Sequence, residues 1–96
     1  MSTKAQLYKR YLVAYSIHCG IDSVPKLRRE LEMPYRTIQN IIDSLEGLDI
    51  KVEFIGAKKT GRYVILDWGP YKLSWMKKKA PYMRQVLSIQ KSSDDL

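Results

Sequence analysis

Hydrophobic positions in this chain recur at helical spacing, then at strand spacing, then at helical spacing again. Between Thr3 and Cys19, Leu7, Tyr8, Tyr11, Leu12 and Tyr15 fall three and four residues apart, which predicts a first helix ended by Gly20. Ser23 is placed to cap a second helix with Pro25 in its first turn, and Val24, Leu27 and Leu31 form its inner face. The pattern breaks at Met33-Pro34, because proline cannot continue a helix but can open one. A third helix is therefore expected from Pro34 or Tyr35 to about Glu46, with Ile38, Ile41, Ile42 and Leu45 inward and Gly47 as its stop.

Past Gly47 the period changes to two. Ile50, Val52 and Phe54 alternate with Lys51 and Glu53, and Arg62 to Trp68 is a β-branched and aromatic run. Between them Ala57-Lys58-Lys59-Thr60-Gly61 reads as a turn, with Gly61 where a positive φ is expected. The result is a β-hairpin whose tip carries Lys58, Lys59 and Arg62. After Gly69-Pro70, Trp75, Met76, Tyr82, Met83, Val86 and Leu87 return to helical spacing in a final region from Tyr71 to about Gln90, which Pro81 should kink or split. The expected fold is α+β and mainly α: three helices, a hairpin and a C-terminal helix. It forms one domain over 1–91 (core 3–68, C-terminal helical region 70–90), with 92–96 a frayed tail.

The stretch from Leu27 to Leu45 is the most specific part of the pattern. Two short helices meet across a tight turn, and the outer face of the second presents Tyr35, Arg36, Thr37, Gln39, Asn40 and Asp43, all able to hydrogen-bond to base edges or phosphates. That is the layout of a helix-turn-helix reader.

Composition narrows the alternatives. Ninety-six residues allow one modest core, and a hydrophobic fraction of 45% argues against wholesale disorder. Apolar runs are too short for a membrane span, and the N-terminal periodicity reads as a structural helix and not a signal peptide, so a cytoplasmic location is expected. The lone Cys19 cannot form an internal disulfide, and with the lone His18 it falls short of the roughly four ligands of a zinc site. With no Ser-His-Asp set, glycine-rich phosphate loop or carboxylate cluster in the sequence, neither enzymatic activity nor a cofactor is expected. Tyr8, Tyr11 and Tyr15 can be read as an aromatic stacking ladder, but their spacing favours core packing.

The formal net charge is +7, and its distribution matters more than its total. Residues 1–50 carry seven basic and six acidic side chains, whereas residues 51–84 carry nine basic and two acidic. A concentrated basic region matches a polyanion such as nucleic acid, since each neutralised phosphate releases counterions. A solvated face that only confers solubility is the alternative.

Three helices followed by a basic-tipped hairpin resemble the winged helix-turn-helix superfamily of DNA-binding domains. The resemblance covers Thr3 to Trp68 and is carried by Leu27, Leu31, Met33, Thr37, Ile38 and Leu45, by Leu48-Asp49-Ile50, and by Gly61-Arg62-Tyr63-Val64. With MPYRTIQN, EFIGA and GRYVILDWG, the chain is also similar to a small group of short bacterial winged-helix proteins described as probable DNA-binding regulators. It departs from the usual motif at Arg28, where a small residue is common, at Glu32, where glycine is common, and at Pro34, where Ser or Thr usually caps the recognition helix.

The resemblance implies that the third helix enters the major groove of double-stranded DNA. Arg36 then suits guanine, Gln39 or Asn40 suits adenine, and Tyr35 and Thr37 suit phosphate or a thymine methyl. Asp43 and Glu46 outnumber Arg36 on this helix, so phosphate affinity is expected from Lys58, Lys59 and Arg62. One copy offers few base contacts, which points to a homodimer through Trp75, Met76, Tyr82, Met83, Val86 and Leu87; the other reading folds that helix back on the first. A competing function is a protein-interaction module, with Lys77-Lys78-Lys79 matching an acidic partner.

Overall fold

The computed structural model describes residues 3–87, so the expected end of the last helix near Gln90 and the frayed tail lie outside the described residues. Four α-helices, α1 (Thr3–His18), α2 (Val24–Leu31), α3 (Tyr35–Ser44) and α4 (Leu73–Val86), surround a common core. The hairpin strands β1 (Lys51–Ile55) and β2 (Arg62–Asp67) lie between α3 and α4 in the chain. The architecture is α+β and mainly α, as the periodicity indicates.

Helix α1 is the central element. Leu12, Val13, Ala14 and Ile17 are buried, and the helix contacts α2, α3, α4 and β2, so it has no fully solvated side along its middle. Leu27 and Leu31 of α2 and Ile38, Ile41 and Ile42 of α3 complete the core from one side, and Met76, Ala80 and Met83 of α4 from the other. Burying a side chain of this size contributes about 1.5–3 kcal/mol, and all three helices supply several.

Local chemistry explains how α2 and α3 meet. The Ser23 hydroxyl accepts from the Lys26 N–H at 3.4 Å, and Pro25 occupies the first turn, where its missing N–H costs little. At the far end Glu32 takes the left-handed conformation (φ 56°), and its N–H donates to the Arg28 carbonyl at 2.9 Å. That is the position where glycine is usual, because a Cβ there crowds the backbone. Arg28 itself points to solvent. Met33 is buried in the turn, and Pro34 holds the N-cap position with no side-chain bond while its carbonyl accepts from Ile38 N–H at 3.1 Å.

Three boundaries differ from expectation. The α-helical part of α3 ends at Ser44, not near Glu46, and tightens into a 3-10 turn over Leu45–Leu48. The left-handed residue that ends this turn is Asp49 (φ 66°), not Gly47. In the wing, the positive φ falls on Gly56 (102°) and not on Gly61. Gly61 is required for space instead, since a Cβ there would lie 2.6 Å from the carbonyl oxygens of Ala57 and Ile55.

The last helix also departs from the reading of the sequence. It begins at Leu73, not Tyr71, and continues through Pro81 to Val86, so of the kink or split expected at Pro81 the split does not occur. Proline removes one hydrogen bond of the helical ladder, but Met76, Ala80 and Met83 anchor the helix in the core on both sides of Pro81. The helix folds back along α1, and Met76 and Met83, expected at a dimer contact, are fully buried in the chain's own core. Leu87 also packs against it, which leaves Trp75, Tyr82 and Val86 of the expected contact exposed. The tyrosines of α1 act as packing groups: Tyr8 is buried, and Tyr11 and Tyr15 are half-buried against the core.

Candidate nucleic-acid interface

The hairpin stands beside α3 because its inner pleat is apolar. Val52 pairs with Ile65 and Phe54 with Tyr63; Val52, Ile65 and Tyr63 pack against the core. The Phe54 and Tyr63 rings meet edge to face with centroids 4.9 Å apart. A register irregularity between Lys51 and Val52 marks the root of the hairpin. Higher up, the Tyr63 N–H donates to the Asp22 carbonyl at 2.9 Å, tying β2 to the connection between α1 and α2.

A groove of about 500 Å³ opens between the wing and the start of α3. Tyr35 and Gln39 form its helix side, Lys58 and Lys59 its wing side, and Phe54 and Tyr63 its aromatic floor. Gln39 is half-buried, and its Nε2 donates to the Tyr63 hydroxyl at 3.5 Å, which ties the helix side of the groove to the hairpin. Tyr35 is 57% exposed at the rim. Arg36 and Asn40, one helical turn apart, are exposed and share the outermost stripe of α3 with Asp43. Thr37 is half-buried on the flank that also carries Ser44, whose hydroxyl accepts from Arg10 Nε at 2.9 Å on α1.

The structure thus brings together Tyr35, Gln39, Lys58 and Lys59, with Arg36 and Asn40 beside them. Arg62 stands apart. Strand alternation puts it on the pleat opposite Tyr63, facing away from the groove. Sequence reasoning missed Phe54 and Tyr63 as groove residues, although the two-residue alternation that makes Ile65 inward also makes Tyr63 inward.

The far end of α3 has the opposite electrostatic character. A hollow of about 840 Å³ between the C-terminal half of α3 and the base of the hairpin is lined by Asp43, Glu46, Asp49 and Asp67, with Lys51 beside them. The side chains there are mainly acidic and those at the wing tip are basic, so the face has a polarity of charge along the helix. No group of three or more potential metal-ligating side chains occurs among the described residues. No described helix is long and apolar enough to cross a membrane.

Fold and interface together define a winged helix with its second motif helix and its wing on one side. The chain belongs to the winged helix-turn helix family, whose model matches residues 2–87. Among solved structures it is similar to a DUF2131 family protein from Shewanella amazonensis SB2B. The two share 24% identity with a TM-score of 0.84, over 94% of this chain and 91% of that one, a likeness of fold. No curated protein matches the sequence.

Proposed function

We propose that this chain binds double-stranded DNA and regulates transcription in the cytoplasm, with no cofactor and no chemistry of its own. The observation that carries the reading is the groove in which Lys58 and Lys59 of the wing face Tyr35 and Gln39 of α3. A duplex seated there has one phosphate backbone against the wing lysines and its major groove against the first turns of α3. Arg36 is the base-reading residue, since its guanidinium is exposed and its fork matches the O6 and N7 edge of guanine. Asn40, one turn on, suits adenine. The carboxylates at the other end of α3 favour an approach led by the N-terminal end of the helix.

The dimer that the sequence suggested has less to rest on. With Met76 and Met83 inside the core, a two-fold contact through α4 would set the exposed Lys77 and Lys78 of one copy near those of the other. We therefore read the binding unit as one chain, to be checked by sedimentation at low salt.

Selection of binding sites from random duplex DNA tests the function. Arg36→Ala should weaken binding to the selected site by about 1–3 kcal/mol and flatten the preference at one base pair. Lys58→Ala with Lys59→Ala should weaken all duplexes alike and reduce the salt dependence by about two phosphate contacts. Indifference to both changes would remove the proposal.

A further inference from the structure

The acidic side chains of the described region lie outside α1 and α4, although Glu30 of α2 reaches Arg84 of α4. Neither α1 nor α4 contains a single Asp or Glu, whereas the two helices carry Lys4, Lys9, Arg10, Lys77, Lys78, Lys79 and Arg84, with Lys72 at the N-cap of α4. Because α1 packs against both α3 and α4, the seam between α1 and α4 is a surface separate from the groove under the wing. Three of the cations are already engaged: Arg84 with Glu30, Arg10 with Ser44 and the Gln6 carbonyl, and Lys4, which donates to the Tyr82 hydroxyl at 3.4 Å. Lys4, Lys72, Lys77 and Lys78 are exposed, and Lys79 is half-buried.

Aromatic rings run along the same seam. Tyr82 meets Tyr8 edge to face at 5.9 Å, Tyr8 meets Tyr11 at 6.3 Å, and Tyr11 meets Trp75 at 6.0 Å and Tyr71 at 5.1 Å. The ends of this chain of rings are open to solvent, with Trp75 38% and Tyr82 42% exposed. The Lys4 and Lys79 ammonium groups lie 5.4 and 5.6 Å from the centre of the Tyr82 ring. Exposed rings are thus interleaved with lysines along a line two helical turns long, from Trp75 to Tyr82.

We propose that this seam is a second nucleic-acid surface, one that takes an unpaired strand. A duplex keeps its bases stacked inside, so it could use the lysines but not the rings. An unpaired strand uses both: each base offers a face to an exposed ring, a contact contributing about 1–3 kcal/mol, while the lysines track the phosphates. A protein interface would present a broad apolar centre with a rim of mixed charge. Here the exposed apolar positions form a narrow line, and the charge is of one sign. This surface shares no residue with the groove proposed for duplex DNA, so the two stand or fall separately.

The test uses the full chain with a Trp68→Phe background, so that Trp75 is the only tryptophan. A fluorescent oligo(dT) of about 16 nucleotides, a duplex of equal length and poly-glutamate are the probes. The proposal expects oligo(dT) to quench Trp75 emission on binding. It also expects Lys72→Gln, Lys78→Gln and Lys79→Gln together to weaken that binding by about tenfold or more at low salt. Lys58→Gln with Lys59→Gln should leave oligo(dT) binding unchanged. Lys58, Lys59, Lys72 and Lys78 are exposed and Lys79 is half-buried against Tyr82, so the circular dichroism of each variant is compared with the parent and should match it. Any one of three results would overturn it: no binding of oligo(dT) at low salt, binding without a change at Trp75, or equal capture of poly-glutamate.

Discussion

The Arg84 guanidinium of α4 donates to the Glu30 carboxylate of α2 at 2.8 Å, and both side chains are largely out of solvent, at 13% and 21% exposure. This contact fastens the last helix to the first helix of the motif, 54 residues away in the chain. One guanidinium nitrogen, Nη1, is buried with no hydrogen-bond partner among the described residues, so the bond from Nη2 carries this contact on the arginine side. Arg84→Ala should lower stability by about 1.5–3 kcal/mol, the range for hydrogen bonds to charged groups. Urea unfolding of the variant against the parent checks this, and a change within a few tenths would show that α4 is held by apolar burial alone.

Glu32 occupies a left-handed conformation that disfavours a Cβ, and its carboxylate follows the C-terminal end of α2, where negative charge is disfavoured. Replacing it by glycine relieves both effects but also frees the unfolded chain. The expected net gain is about 0.5–1 kcal/mol, seen as a raised midpoint of thermal unfolding. Glu32→Ala removes the charge but keeps the strain, and should recover only a few tenths of that gain. Equal gains from both would mean that the charge, not the backbone, sets the cost.

Gly61 is crowded by the backbone of its own turn. Gly61→Ala should cost about 1–3 kcal/mol if the hairpin keeps its shape, the range for overpacking. If the turn reshapes instead, the loss moves from stability to function, because Lys58 and Lys59 leave the groove edge. Measuring duplex binding and urea unfolding on the same variant separates the two, and a loss in neither contradicts the packing described.

Burial pushes the Tyr11 hydroxyl up to about 12, with the hydrogen bond to Tyr71 acting in the same direction. The folded protein therefore keeps this proton where the unfolded chain, at its ordinary value near 10, has released it. Stability from this group is fully present below about pH 10 and is lost as pH rises toward about 12. Lys4, raised mainly by its hydrogen bond with Tyr82, contributes in the same sense. Tyr11→Phe should flatten the decline between pH 10 and 12 in a series of urea titrations, and an unchanged slope would assign the decline to other groups.

Much of this fold is legible from the sequence because its local signals agree. Ser23, Pro25, Met33-Pro34 and the three- and four-residue apolar spacing all place α2 and α3 within two residues of where they lie. The wing is legible for a similar reason, since alternation and a glycine-ended turn coincide. The errors arise where a local rule met a tertiary contact. Pro81 reads as a kink or a split, and the split does not occur, since buried Met76 and Met83 anchor the helix on both sides of it. Those methionines read as surplus apolar surface, but α1 has a second side that needs covering. Arg62 reads as part of the wing tip, and the register puts it at the start of β2 on the pleat opposite Tyr63, outside the groove lining. The groove itself depends on where the hairpin leans, and that is fixed by packing between residues distant in sequence.

The bond from Tyr63 N–H to the Asp22 carbonyl has a mechanical consequence. It braces the hairpin partway along its length against a fixed point just ahead of the Ser23 cap. The segment below the brace moves with the helices, while the Lys58-Lys59 tip above it is a cantilever. Amide exchange should therefore be slow at Tyr63 and fast beyond it. A tip that swings about such a fulcrum can follow the varying width of a DNA groove while the reading helix stays where it is.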